Sequence, residues 1–242
     1  AGLLILSFAF MEKDKLLLAT FCIIASVYIK IFGIVGIALF LFYPNKMKAV
    51  FYSFLWMMVF FCLPLLIISF QQLVFLYQSW GNMLANDYQS AYSLSVVGII
   101  NTWFNLDINK NLVLIPGCLL FLVPFLFRKN YRELTFRIFA LASVLIWIII
   151  FNHKAESPTF IVAMIGICIW YFASPFSRTN LALFLFAFIL TSLSATDLFP
   201  KFIRVTYVKP YALKALPCVM IWVKIVYDMV RYNASEHLNV KI

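Results

Sequence analysis

The chain has 242 residues, of which 65% are hydrophobic and only 12% charged. Soluble domains carry roughly 45–50% apolar and about 25% charged residues, and the mean hydropathy here is +0.99. A water-facing exterior could not be built from so little charge, so the composition excludes a soluble enzyme, a disordered chain and a nucleic-acid-binding module, and it points to an integral membrane protein made of helices.

The net charge is +10, from 19 Lys and Arg against 9 Asp and Glu. The basic residues sit in short clusters between apolar runs, which suits membrane orientation rather than DNA binding. Cys22, Cys62, Cys118, Cys168 and Cys218 lie in or beside apolar runs without a CxxC pair, so they read as small hydrophobes with no disulfide framework. With only His153 and His237 present, a His-rich metal site is not expected. The sequence starts Ala1-Gly2-Leu3 inside an apolar run, with no initiator Met and no signal-peptide pattern. It is expected to be the C-terminal part of a longer protein.

In chain order, a partial apolar segment covers 1–11 and the polar break Glu12-Lys13-Asp14-Lys15 follows. The next run, 16–43, is interrupted only by Lys30 and closed by Pro44-Asn45-Lys46-Met47-Lys48. A third run covers 50–70. Residues 71–110 mix Gln, Asn, Ser and Tyr with apolar side chains. Further runs cover 111–127, 138–151, 159–173 and 181–194, then a semi-polar stretch, 195–210, leads to a last span at about 211–230. None alternates with period two, and backbone facing lipid must be bonded within its own segment, so helix is the expected state throughout. The expected fold is all-α: one polytopic transmembrane bundle over 1–242, with about 7–9 helical segments, some short or re-entrant. Residues 138–151 and 159–172 are too short for a full span: at 1.5 Å per residue each reaches roughly 21 Å against a core of about 30 Å. Either polar ends extend these helices or the turn between them is recessed.

Charge sets the expected orientation. Lys46 and Lys48, the 128–137 cluster (Arg128, Lys129, Arg132 and Arg137 against Glu133), Arg178, and the tail with Arg231 are assigned to the cytoplasm. Residues 71–110, 152–158 and 195–210 alternate with them and fall outside. Leu73, Tyr77, Trp80 and Leu84 repeat at helical spacing in 71–110, as in a helix lying in the membrane interface. The 195–210 segment is basic although it falls outside, and anion binding would account for that.

Three sets of charges stand out. Lys30 interrupts an otherwise uncharged run. It is either a snorkelling or backbone-satisfied lysine, in one tilted helix or at the apex of two short arms with Gly33, or it is a cation facing an anionic ligand. His153, Lys154 and Glu156 form either a self-neutralising turn or a site. Ser157 and Pro158 read as the N-cap and first residue of the next helix. Asp197, Lys201, Arg204 and Lys209 form either an interfacial turn, capped by Thr196 or Asp197, or a cationic rim for phosphate. Lys214, Lys224 and Asp228 read as snorkelling residues and an i,i+4 ion pair. No P-loop, GxGxxG, HExxH or GxSxG motif is present.

The stretches Phe151-Asn152-His153-Lys154-Ala155-Glu156-Ser157-Pro158-Thr159-Phe160, Ile169-Trp170-Tyr171, Thr191-Ser192-Leu193-Ser194 and Thr196-Asp197-Leu198-Phe199-Pro200 resemble glycosyltransferase family 87, polytopic enzymes of the GT-C superfamily. Tyr28-Ile29-Lys30-Ile31-Phe32 resembles a further family segment, in which Pro commonly follows where this chain has Gly33. The likeness extends over nearly the whole chain. It implies a glycosyltransferase that passes a sugar, commonly mannose, from a polyprenyl-phosphate donor to a lipid-linked or cell-surface glycan acceptor. The work would occur at the outer face of the bacterial cytoplasmic (inner) membrane, with no metal or other cofactor and no nucleic-acid partner. The family's catalytic Asp lies in an outer loop near the N-terminus, matched by no residue here, so the fragment is expected to be catalytically incomplete. His153 and Glu156 become the candidate catalytic residues, and Lys30, Lys154, Lys201 and Arg204 the candidate phosphate ligands. The alternatives are a non-enzymatic transporter or lipid flippase, which would use the same charges as a path, and a scaffold subunit of a glycan assembly complex.

Overall fold

A computed structural model describes residues 1–85, 94–106, 108–152 and 155–232. Every regular element among them is helical, and none is a strand. The described residues fall into two compact units, one built from 2–34 and 45–85, the other from 35–44 and 94–232.

The first unit opens with α1 (Gly2–Glu12) and α2 (Leu16–Ile29), joined by a turn in which Asp14 takes the left-handed conformation. α1 buries Leu4, Ser7 and Met11, one stripe at helical spacing, and Ser7 Oγ donates to the Ala19 carbonyl of α2 at 2.9 Å. α3 (Lys46–Cys62) packs on α2 through Trp56 and Phe60, one turn apart. The Phe21 ring meets Trp56 edge-on at 4.9 Å, Trp56 Nε1 donates to the Leu17 carbonyl, and the Tyr28 hydroxyl donates to the Met57 carbonyl. Apart from buried Ala49, α3 shows a broad apolar face: Met47, Val50, Phe51, Phe54, Leu55 and Met58 are all exposed. Water would penalise such a face, and lipid would not. With the 3-10 turn Leu63–Leu66, this helix is 21 residues long, one of two in the described chain long and apolar enough to cross a membrane. α4 (Phe70–Ala85) follows, fixed by buried Leu73 and by Tyr77, whose ring stacks on Phe61 at 4.5 Å.

The run 16–43 does not form one helix. α2 stops at Ile29, Lys30 is extended, and a 3-10 segment, Ile31–Phe42, takes over. A Cβ on Gly33 would lie 2.3 Å from Ser26 Oγ and 2.8 Å from its carbonyl carbon, so the chain turns more tightly here than any residue with a side chain allows.

In the second unit, α5 (Val96–Phe104) is capped by Ser95, and α6 (Lys110–Leu122) by Asn109. α7 (Leu134–Ile150) is the core: every residue from Leu141 to Ile150 is buried. α8 (Phe160–Ala173) runs back along it, closely enough that a Cβ on Gly166 would touch the Ala142 carbonyl at 3.0 Å. Polar ends do lengthen these helices: α7 begins at Leu134, and a 3-10 turn, Ser157–Thr159, precedes α8. α9 (Arg178–Ala187), capped by Ser177, continues through a π turn and a 3-10 turn to Ala195, which makes the second helix of membrane-crossing length. The short α10 (Lys201–Ile203) and a π turn lead to α11 (Leu216–Val230), which packs on α7, α8 and α9.

Two sequence expectations need correction. Ser157 is not an N-cap: it is the first residue of the 3-10 turn, whose N-cap is Glu156, and Thr159 holds the N-cap position of α8. The α10 cap position is held by Pro200, not Thr196 or Asp197, because the helix starts only at Lys201.

Candidate functional site

The topology of the second unit sorts its loops into two ends. At one end lie the 128–133 turn, the 174–178 turn and the end of α11, joined by a hydrogen bond from Asn130 to the Tyr232 carbonyl. Arg128, Lys129, Arg132, Arg178 and Arg231 make this end strongly basic. A cavity of about 390 Å³ opens there, lined by Ser174, Asn180, Lys224, Asp228 and Arg231 among others. Lys224 and Asp228 form the expected i,i+4 ion pair.

At the other end the 155–159 turn, the 188–200 region and the turn before α11 come together. The residue that joins them is Lys214. It is 5% exposed, so it does not snorkel as its place beside an apolar run suggests. Its ammonium donates to the Ser157 Oγ at 2.6 Å and to the Ser157 carbonyl at 3.0 Å, with the Phe160 ring 5.4 Å away. Its own carbonyl accepts from Thr191 Oγ1 at 2.9 Å, and Thr191 in turn touches Cys218 Sγ at 3.5 Å. A buried ammonium is costly unless its N–H groups are used. Here neutral oxygens and an aromatic face serve it, and no carboxylate pairs with it among the described residues.

Backbone strain marks the same turn. Ala212 is buried and left-handed, at φ +50°, a conformation that costs a residue with a side chain roughly 1–2 kcal/mol. Trp103 Nε1 holds the turn by donating to the Tyr211 carbonyl at 2.8 Å, which brings the end of α5 to the same place.

Next to Asn152 and the 155–159 turn the floor is aromatic. Phe151 stacks on Trp147 at 5.2 Å and meets Trp222 edge-on at 5.3 Å, and Trp222 Nε1 donates to Ser143 Oγ at 3.0 Å. The Trp147 indole N–H donates to the Gly117 carbonyl at 3.2 Å.

The six residues singled out in the sequence divide as follows. Glu156 is exposed and next to Ser157, and its carbonyl accepts from Thr159 Oγ1 at 2.7 Å. Lys201 is exposed on α10. Arg204 is half-buried, 3.9 Å from the exposed Asp197 carboxylate, and it donates to the Thr196 carbonyl at 3.3 Å. These three belong to the second unit. Lys30 belongs to the first, exposed at the break after α2, with its N–H bonded to the Ser26 carbonyl. His153 and Lys154 lie outside the described residues. Among the described residues no three His, Cys, Asp or Glu side chains are grouped to hold a metal ion.

The family model for glycosyltransferase family 87 matches residues 1–151, well over half of the chain. The chain belongs to glycosyltransferase family 87. It is therefore a membrane glycosyltransferase, a protein that takes a sugar from a donor and passes it to an acceptor. The matched part includes Lys30 and its break, and it ends at Phe151, where the turn leading to Ser157 begins. No curated protein and no solved structure significantly matches this family 87 chain. Sequence reasoning missed Lys214 as a member of the site. Its one signal was a lysine two residues ahead of an apolar helix with no acidic partner one turn away, which a snorkelling lysine shares.

Proposed function

We propose that this family 87 member is a multi-pass protein of the bacterial inner membrane that transfers a hexose, mannose or a close relative, from a polyprenyl-phosphate donor to a hydroxyl of a lipid-linked or cell-surface glycan. The reaction breaks the bond between the sugar C1 and the phosphate oxygen, and the electron pair stays on the phosphate. The acceptor oxygen bonds to C1, and its proton is carried away on the product phosphate monoanion. The transition state is oxocarbenium-like at the sugar, and charge grows on the departing phosphate. Cations held in place before the reaction stabilise that charge best. Lys201, Arg204 and Lys154 are assigned to the phosphate, with Lys30 as a further cation. His153 and Glu156 are assigned to the sugar and to proton movement.

What supports this reading is the bonding of Ser157, next to Glu156, to the buried Lys214, at the end of the unit to which the chain also brings the segment with Asp197, Lys201 and Arg204, while the other end is strongly basic. The positive-inside rule puts the basic end in the cytoplasm and these turns outside, where a lipid-linked sugar is presented. Residues 71–110 would lie outside as well, with α4 in the interface beside the entering lipid. Full-length protein in reconstituted vesicles, supplied with radiolabelled polyprenyl-phospho-mannose and a glycolipid acceptor, should yield labelled glycan. Movement of the donor between leaflets without any glycoside formed would overturn the reading in favour of a flippase.

A further inference from the structure

We infer that Ser157 is a catalytic residue of this transferase, whose hydroxyl, polarised by the buried ammonium of Lys214, donates a hydrogen bond to a phosphate oxygen of the lipid-linked donor. The inference rests on the reaction proposed above and adds to it a residue and a positioning partner.

The chemistry follows from the direction of one hydrogen bond. An ammonium has three donors and no acceptor, so the 2.6 Å contact between Lys214 Nζ and Ser157 Oγ is donated by the lysine. Ser157 Oγ is then an acceptor there, and its own O–H remains to be given elsewhere. Among the described residues nothing receives it: the one hydrogen bond of Ser157 Oγ there is the bond it accepts from Lys214. Ser157 is half-exposed, while Lys214 behind it is buried. The hydroxyl is therefore a charge-assisted donor on the outer side of a cation that an incoming lipid phosphate cannot reach directly. A hydroxyl that accepts from an ammonium is a stronger donor in turn.

The mount is rigid. The second Lys214 bond, to the Ser157 carbonyl, fixes the backbone of the same residue at 3.0 Å. Pro158 follows directly and limits the backbone further. The Lys214 carbonyl is held by Thr191, the Phe160 ring faces the ammonium, and the turn carrying the lysine passes through the left-handed Ala212. Donors that need no rearrangement as charge develops are the ones that accelerate a reaction. Lys214 acts through Ser157 and is a positioning residue.

The test uses full-length protein in vesicles with radiolabelled polyprenyl-phospho-mannose, and polyprenyl phosphate as a product inhibitor. Ser157→Ala should lower kcat by about tenfold to a hundredfold and weaken inhibition by polyprenyl phosphate; it also strands one N–H of the buried Lys214, so its melting temperature should fall, and rates are compared at a temperature where both proteins are fully folded. Ser157→Thr, which keeps the hydroxyl, should restore most of the rate. Lys214→Met should match Ser157→Ala, and the double variant should be no slower than either single one. If Lys214→Met does not fold, Ser157→Ala, Ser157→Thr and the inhibition constants decide the matter alone. Parent-like kcat in Ser157→Ala, or losses that multiply in the double variant, would overturn the inference and leave the transferase reading intact. A parent protein that transfers no sugar overturns both.

Discussion

The Phe151 ring occupies the place where a side chain on Gly117 would begin: a Cβ built on Gly117 lies 2.2 Å from one ring carbon and 2.5 Å from the next. Gly117 follows Pro116 inside α6, and its carbonyl receives the Trp147 indole N–H. α6, α7 and Phe151 at the end of α7 therefore meet at one point. Gly117→Ala must move Phe151, a ring stacked on Trp147 and set against Trp222, so the neighbour that gives is not free to give. A loss of about 1–3 kcal/mol is expected from overpacking of this kind, read as a lower melting temperature in detergent. Because Phe151 leads directly into the candidate site, sugar transfer should fall as well. An unshifted melting temperature would show that the ring can swing aside.

The break at Lys30 makes a second prediction. Gly33 donates its N–H to the Lys30 carbonyl at 2.8 Å and lies against Ser26, where a Cβ would come within 2.3 Å of Ser26 Oγ and 2.9 Å of the Ser26 carbonyl oxygen. The hydroxyl end can rotate, but the backbone carbonyl cannot. Gly33→Ala should therefore destabilise the first unit, and Ser26→Ala should rescue only part of that loss. Gly33→Pro should cost more, because it adds the same Cβ and removes the N–H. Melting temperatures of the three variants give the order, and a Gly33→Pro protein as stable as the parent would mean that the turn at Lys30 is not fixed.

Much of this architecture was legible in the residues. Lys30, Pro44 and Pro158 mark breaks because each interrupts an apolar run with a group that either cannot continue the helix or resists burial, and helices do stop or change type there. The Lys224–Asp228 pair follows from spacing alone, since i and i+4 share a face. Lys214 and Ser157 are another matter. They are 57 positions apart, and nothing in either local pattern refers to the other. The rule that places an isolated lysine at the membrane surface assumes lipid around the helix end. Here α8, the continuation of α9 and the turn before α11 surround it instead, and neutral oxygens accept its hydrogen bonds. The same blindness explains Ser157, whose position before Pro158 is the pattern of a helix cap. Its hydroxyl is engaged by the lysine and leaves the capping position to Thr159.

Trp222 and Ser143 test the core beneath the site. The indole N–H donates to Ser143 Oγ at 3.0 Å, both residues are buried, and α7 and α11 are tied by this bond. Ser143→Ala keeps the packing and leaves the indole N–H without its partner, at a cost of about 1–3 kcal/mol. Trp222→Phe with Ser143→Ala removes the stranded donor but opens space next to Phe151. The single Ser143→Ala variant should therefore melt lower than the parent, and the double variant should lose transfer activity in addition. Equal melting temperatures for Ser143→Ala and the parent would show that the bond adds nothing to stability.

Asp197 and Arg204 offer a prediction with opposite signs. The guanidinium is 3.9 Å from an exposed carboxylate and donates to the Thr196 carbonyl. An exposed pair of this length contributes little to stability, so its removal should leave the melting temperature unchanged. If Arg204 serves the donor phosphate, the Asp197 carboxylate competes with that phosphate for the same cation. Arg204→Gln should then raise the donor KM by about threefold to tenfold, in line with an exposed charge contact worth roughly 1 kcal/mol. Asp197→Asn should lower it, and added salt should raise KM in the parent more than in Arg204→Gln. Lys201→Gln should behave like Arg204→Gln with a smaller change, since its ammonium is a hydrated point charge without the paired geometry of a guanidinium. A rise in KM for both Asp197→Asn and Arg204→Gln would instead identify the pair as a brace for the 196–204 turn, and phosphate recognition would then have to lie with the other cations of the site.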